Sequence, residues 1–535
     1  MITPHNANDE REDAGSTQVW LVGGGIASLA AAVFLIKDAD VPPSHIHIFD
    51  LHSHPGGGVT GFGDASTGYV LHSGQQISYR DSCTEKLLSQ VPSTEVGKTP
   101  WDKHKYRSSE EKYHARHLTR ALVEGPSGPE KLDSQKLGLN LRERLELIRV
   151  MLESEHALGR KMISDVFHAD FFDTKFWLIW STTYAFHPQH SVVEFRRYLR
   201  KFVQDIVHCD TSTGPDEMRY SQNESIIQPI TRFLQDEGVD FRLKDRVVDI
   251  LTYPSSDPTT VSEIKYLGCD GSEMLVTLDP TDLVFVTLGS VGSGTVLGTN
   301  SVAPNLSSAE SPDSGWSLWY QFAQKSRKFG NPSNFSSSTP DALFETFTVT
   351  LKDPEFFDRI IKLTNNKPGS QPVLSLAGSN WVLSLDIRRQ PVFHGQPDTV
   401  QVFSGWALYP DREGNYVKKP MLQCSGSEIM KELLQHLKFP LTNILANSIT
   451  IPCVSPRVRS PLLVRSHDDR PLIIPHHTTN IAFLGQFVEI PDEPTLSMEY
   501  SVHGAQFAVN HLMGLKKEPP KPRKNHLVEF LDLLT

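Results

Sequence analysis

Three small residues, Gly23, Gly25 and Ser28, stand in the spacing Gly-x-Gly-x-x-Ser, and downstream an apolar run, HIHIFD, ends on Asp50. The chemistry open to such a set is the holding of a pyrophosphate and a ribose. The first glycine permits a tight turn, and the second lets a pyrophosphate approach the backbone. The third position must be small for helix–strand packing, which serine satisfies although glycine or alanine is usual. Ile26 and Ala27 would open the helix whose free N–H groups and dipole favour the phosphate. Asp50 would accept hydrogen bonds from ribose hydroxyls and repel a 2′-phosphate, which speaks against NADP. The plainer alternative is an ordinary βαβ unit with a glycine turn. The order of strand, turn, helix, strand and acid argues against it.

Two further stretches favour FAD over NAD. Pro55-Gly56-Gly57-Gly58 follows Asp50 closely, and a glycine run lets the backbone pass near a long, bent cofactor. Far downstream, NIAFLGQFVEIPDEPTLSMEYSV reads as a strand, a Gly485-Gln486 turn, a loop and a helix from about Met498, a unit that would close over the flavin end. VFVTLGS, ending on Gly289 and Ser290, reads as a further strand and turn, and Val247 sits where such folds contact adenine through the backbone.

These elements must be held by a chain of 535 residues with 38% hydrophobic and 21% charged residues, enough for large globular cores. A net charge of −11 excludes a general nucleic-acid binder, which needs a basic footprint. The 5 cysteines are scattered without a CxxC pair, which suits a reducing, cytoplasmic setting. The N-terminus lacks a signal-peptide layout. The apolar run 19–36 is long enough to raise a membrane span, but Gly23 to Gly25 interrupt it. His45, His47, His52 and His54 resemble a metal tract, with His45 and His47 expected on one strand face. The acid and thiolate ligands of a firm site are missing, so no metal is expected.

The predicted fold class is α/β: a Rossmann-like FAD-binding fold assembled from discontinuous segments, with helical and mixed α/β substrate-binding insertions. Residues 1–17 read as a disordered tail, 18–80 as a first FAD segment, 81–215 as a mainly helical substrate-side domain and 216–300 as a second FAD segment. Residues 301–470 read as a substrate-binding domain, 471–513 as a third FAD segment and 514–535 as a basic, amphipathic tail. In that tail Lys516, Lys517, Lys521, Arg523 and Lys524 precede Leu527, Phe530, Leu531 and Leu534, a pattern suited to peripheral contact with an anionic membrane. A packed terminal helix after a solvated linker is the competing reading. A homodimer is left open.

Taken together, LVGGGIASLAAAVFLI, FWLIWSTTYAFHPQHSVVEFRRYLRKF, ALYPDREGNYVKKPM and NIAFLGQFVEIPDEPTLSMEYSV resemble the oleate hydratase family (myosin-cross-reactive antigens), FAD-containing fatty acid hydratases. The resemblance runs over nearly the whole chain. It implies addition of water across a cis double bond of an unsaturated fatty acid, with the flavin organising the site rather than exchanging electrons.

The family's proton donor is a tyrosine in E-[FM]-x-x-Y, matched here by Glu194 to Tyr198. The water-activating glutamate of R-G-G-R-E-M falls on Gln76 in His72-Ser73-Gly74-Gln75-Gln76-Ile77; Gly74 keeps one glycine of this flavin-side loop, and both arginines are lost. A glutamine can orient water but cannot take its proton at neutral pH. One carboxylate contact is matched by Gln222. The others, Thr, Asn and His in the family, become Asp386, Arg388 and Val392. Arg388 could hold a carboxylate, with Asp386 opposing it; a solvated Asp/Arg pair is the alternative. The departures keep two further readings open: a family member recruited to isomerisation, dehydration or flavin oxidation, and a catalytically weak lipid-binding flavoprotein.

Overall fold

A computed structural model describes residues 16–59, 61–71, 81–93, 97–103, 118–132, 137–207, 220–254, 257–308, 313–336, 339–370 and 373–516. Gly74, Gln76, most of the N-terminal tail and the tail from residue 517 onward lie outside the described residues.

Short strands, apolar at the centre and more polar toward the Asp240–Leu243 edge, build a parallel sheet. Its order is Ile481–Leu484, Leu283–Thr287, Val19–Val22, Ile46–Asp50 and Asp240–Leu243. Strands buried on both faces read as continuous hydrophobic runs, and VWLV and IAFL are buried throughout. Two helices, Ile26–Ala39 and Met498–Leu512, pack on one another beside this sheet, though they come from distant parts of the chain. The strand expected over His45 to Phe49 begins at Ile46; His45 ends a 3₁₀ turn, Pro43–His45, set by the preceding prolines. His45 and His47 therefore do not share a strand face. The His47 ring is instead fixed between Asp240 (2.8 Å) and Gln18 (3.0 Å) and stacks on Trp20.

A second, eight-stranded sheet is mostly antiparallel and is centred on Phe344–Leu351, whose eight residues are all buried. Its sequence, FETFTVTL, puts Thr346, Thr348 and Thr350 on one face. There Thr350 Oγ1 and Thr348 Oγ1 accept the N–H groups of Tyr69 (2.8 Å) and Leu71 (2.9 Å), seating the hairpin Gly61–Leu71 on the sheet. The opposite face carries Glu345, fully buried, its two carboxyl oxygens without a hydrogen-bond partner among the described residues. Burial pushes its pKa well above the usual carboxyl value.

Residues 141–207 are helical around an aromatic core of Phe171, Phe176, Trp177, Trp180, Phe186 and Phe195. The single helix suggested by LRERLELIRVMLESEHALGRKM is broken: Leu141–Leu152 stops before Ser154, which caps Glu155–Leu158 by accepting the Ala157 N–H. The stretch read as mainly helical also supplies the hairpin Ala121–Gly125/Gly128–Lys131, which extends the eight-stranded sheet. Among the described residues no helix is long and apolar enough to cross a membrane.

Candidate active site and cofactor cleft

The glycine turn between Val19–Val22 and Ile26–Ala39 forms the floor of a cleft lined by Gly23, Gly25, Ile26, Ala27, Asp50, Gly56, Gly57, Val247, Gly289, Ser290, Gly485 and Gln486. Gly23 has φ +101°, a conformation side chains rarely adopt, and its N–H donates to Phe49 O (2.9 Å). The Gly24 N–H donates to Asp50 Oδ2 at 2.7 Å, where a Cβ on Gly24 would come within 2.5 Å of the same oxygen. Asp50 Oδ1 accepts the His52 N–H (2.7 Å) and pairs with His52 Nδ1 (3.0 Å), which raises the His52 pKa. Asp50 is thereby locked in place at the end of its strand.

Gly25 is different. A Cβ there would meet nothing within 4 Å, so the approach to the helix end is open. The helix has no side-chain cap and no acid in its first turn, which leaves its amides for an anion. Gly57 packs on Gly25, and the Gly56 N–H donates to Gly24 O (2.9 Å). An open helix end, a backbone floor and an acid at the end of the neighbouring strand, all lining one cleft, suit the FAD class of dinucleotide.

Ser28 does not line the cleft. It is buried beneath it, with Oγ 3.1 Å from Thr287 Oγ1 on the neighbouring strand. The structure adds contributors that sequence reading missed: Thr287, Asp313 to Gly315 and Ser501. Asp313 caps Ser314–Lys325 by accepting the Trp316 N–H (3.3 Å), bringing a second helix N-terminus to the cleft. Asp-Ser-Gly after a Ser/Pro-rich loop is an N-cap signal that could have revealed it.

From the cleft the chain Gly485–Ser501 leads to Tyr198 and back. Tyr198 lies on the helix Val192–Val207, buried among Tyr184, Phe186 and Phe202. Its Oη accepts the Leu496 N–H (3.1 Å), and burial pushes the phenol pKa well above its ordinary value. The hydroxyl is therefore protonated throughout the neutral range.

Beside it lies a buried ionic cluster that sequence reading did not find. Arg197 holds Glu155 through two nitrogens (2.9 and 2.7 Å) and Glu489 through one (2.5 Å). Arg465 reaches Glu489 (2.8 Å), and Arg470 reaches Glu194 (3.2 Å). Burial opposes the charge on Glu489, but Arg197, Arg465 and Arg470 outweigh it and hold its pKa down to about 2. Glu194 also faces Thr495 (3.4 Å), so the cluster clamps the 485–501 loop to the Tyr198 helix. Its members are spread from residue 155 to 489, and although Glu194 and Arg197 fall within the Glu194 to Tyr198 motif, no local spacing pairs them with Glu155, Arg465, Arg470 or Glu489.

Gln222 opens a short π-helical segment, Asn223–Ile227; next to it the Ser221 N–H donates to Val392 O (2.8 Å), which brings Gln222 beside the 391–396 loop. Arg388 donates through Nε to Asp386 Oδ2 at 2.7 Å, with both side chains largely buried. The expected opposition of Asp386 thus takes the form of a direct ion pair.

A family model described as the MCRA family matches residues 16–510. The chain belongs to the MCRA family. Among curated MCRA-like relatives, the oleate hydratase of Streptococcus pyogenes serotype M49 (strain NZ131) is 30% identical over 523 residues, covering 95% of this chain and 87% of the relative. The linoleate hydratase of Lactiplantibacillus plantarum is 29% identical, covering 92% and 93%. Among solved structures, cyclohexylamine oxidase from Brevibacterium oxydans IH-35A (TM-score 0.53, 11% identity, 93% of this chain and 99% of that one) and an oxidoreductase from Methanosarcina mazei (0.51, 12%, 91% and 99%) share the fold. FAD is the cofactor of the MCRA family, and the cleft residues fit it.

Proposed function

We propose that this protein is an FAD-dependent fatty acid hydratase, a hydro-lyase that adds water across a cis double bond of an unsaturated fatty acid to give a hydroxy fatty acid. The observation that carries the reading is a protonated, buried phenol, Tyr198, tied by one loop to the cofactor cleft in a chain whose relatives are oleate and linoleate hydratases.

Tyr198 gives its proton to one alkene carbon, water bonds to the other, and the proton lost by that water restores the phenol through solvent. No electrons are exchanged. Bound FAD supplies a positioned electrostatic field at the alkene. The Leu496 N–H stabilises the phenolate as it forms, and the aromatic walls exclude competing water. Gln76, at the family's base position, orients the water without accepting its proton. Gln222 recognises the substrate carboxylate, while Arg388, already neutralised by Asp386, contributes weakly. Peripheral contact between the basic 514–535 tail of this cytoplasmic protein and an anionic membrane would bring the enzyme to the medium that holds its substrate.

The test is hydration of cis-monounsaturated acids by FAD-loaded, photoreduced protein, read as mass gain of one water. Slow, narrow activity is expected, lost in Tyr198→Phe and raised about 10²-fold or more by Gln76→Glu, the scale of a restored general base. Native activity untouched by Tyr198→Phe would remove the proton-donor role. No hydration by either the native protein or Gln76→Glu would move the assignment to another lipid reaction.

A further inference from the structure

The turn from Pro494 to Ser497 brings two hydrogen-bond donors to one place. Its ends are tied twice, since the Ser497 N–H and the Ser497 hydroxyl both donate to Pro494 O (3.3 and 2.8 Å). Ser497 also caps the helix Met498–Leu512 by accepting the Tyr500 N–H (3.3 Å), so the turn is fixed to a long element. Thr495 and Leu496 are its two central residues. The Leu496 N–H donates to Tyr198 Oη at 3.1 Å, and the Thr495 side chain beside it is fully buried.

The Thr495 hydroxyl has one hydrogen and two acceptors within reach. Its Oγ1 lies 3.4 Å from Glu194 Oε2, long for a hydroxyl-to-carboxylate bond. It also hydrogen-bonds the Tyr198 phenol in the sense that favours the ionised form. Glu194 does not depend on this hydroxyl, because Arg470 (3.2 Å), Arg465 (3.4 Å) and Arg197 (3.7 Å) surround its carboxylate. Rotation of the hydroxyl hydrogen alone, with no heavy atom displaced, moves the donor from Glu194 to the phenol oxygen.

The need for such a donor follows from the surroundings. Burial is the strongest influence on the Tyr198 phenol and opposes its ionisation, as does Glu194; the Leu496 N–H, the Thr495 hydroxyl and Arg470 favour it. A phenol that has given up its proton leaves an oxyanion among Tyr184, Phe186 and Phe202, rings that cannot solvate it. Donors fixed before the charge appears stabilise it without reorganisation.

We propose that Thr495 is a positioning residue for proton donation by Tyr198: its hydroxyl, held in reserve on Glu194, turns to the phenol oxygen as the proton leaves and, with the Leu496 N–H, completes a two-donor cradle for the phenolate. The Tyr198 proton goes to the alkene carbon, and Thr495 keeps its own throughout. The reaction is taken from the fatty acid hydratase reading; the donor geometry stands apart from it.

The experiment compares the native protein with Thr495→Val and Thr495→Ser, each full length and FAD-loaded. Valine keeps the shape and removes the donor, and serine keeps the donor. In hydration assays with photoreduced flavin, Thr495→Val should lower kcat by about 10²-fold with KM unchanged, the usual cost of losing one oxyanion donor, and Thr495→Ser should recover most of it. A second readout needs no turnover. A fluorinated tyrosine placed at position 198 ionises at lower pH, and its ¹⁹F resonance followed against pH reads the phenol directly. Thr495→Val should raise the phenol pKa by about 1–2, the effect of one lost hydrogen bond to a charged group, and Thr495→Ser should leave it near the native value. An unchanged phenol pKa in Thr495→Val would overturn the inference. So would an activity loss in that variant that tracks lost flavin and a lower melting temperature and that serine does not restore. A raised pKa with no hydration by any of the three proteins would keep Thr495 as the donor to the phenolate and sink the hydratase reading instead.

Discussion

The cofactor cleft and the packed core around Tyr198 are joined by one loop, yet they are built on opposite principles. The cleft is made of backbone: glycines that turn, an open helix end and one locked carboxylate. The core is made of side chains: aromatic rings packed around a phenol, clamped by buried arginines and glutamates from distant parts of the chain. A backbone site tolerates change wherever no ligand atom comes near, whereas a site held by buried charge pairs fails when any member is removed.

Gly25→Asp should break the cleft most sharply. The position has ordinary dihedrals, φ −74° and ψ 175°, and free space, so aspartate fits and acts as an N-cap. Apo-protein stability should be unchanged or higher by a few tenths of a kcal/mol. FAD affinity should fall by roughly 10³-fold, the effect of about 4 kcal/mol from one like-charge contact near 4 Å. Flavin titration against thermal melts of the apo-protein checks both halves. A parallel loss of fold and flavin would erase the distinction between the two regions.

Arg197→Met tests the Tyr198 core in the opposite sense. It leaves Glu155 and Glu489 without their closest cation. Unfolding stability should drop by about 3–5 kcal/mol, the usual cost of breaking a buried ion pair from one side. Denaturant titration of the FAD-loaded protein measures it. A neutral outcome would mean that Arg465 and Arg470 suffice to hold the loop.

The smallest effect concerns a buried acid outside both regions. Glu345 has a raised pKa in the folded state, so the folded protein keeps a proton that the unfolded chain releases. Its contribution to stability is fully present below the ordinary carboxyl value of 4.5 and is lost as pH rises toward the folded-state pKa. Glu345→Gln carries no ionisable proton. Its melting temperature relative to the native protein should therefore climb as pH increases above about 4.5, read from paired melts across a pH series.

The same contrast decides what was legible in the sequence. Gly23, Gly25 and Asp50 announce themselves because backbone geometry constrains residue type locally, and Gly485-Gln486 follows from strand and turn chemistry. Ser28 illustrates the limit: smallness was readable, but its hydroxyl contact with Thr287 depends on a strand 259 positions away. Glu194, Arg197 and Glu489 look like solvated charges in their own helix and loop, and only tertiary packing pairs them. The break at Ser154 was written in its capping character and overlooked, because the apolar periodicity continues across it. Gln76 and Gly74 lie outside the described residues, so the substitution at the base position stands on the sequence alone.

The strand order of the parallel sheet has a consequence for synthesis. Val19–Val22 and Ile46–Asp50 emerge early, but the strand that completes their sheet on one side, Leu283–Thr287, and the outermost, Ile481–Leu484, come much later. Until then the nascent chain carries apolar strands with unpaired edges, the form most prone to aggregate. The cleft draws on both Val22 and Ser501, so flavin capture cannot begin while the ribosome is still making the middle of the protein.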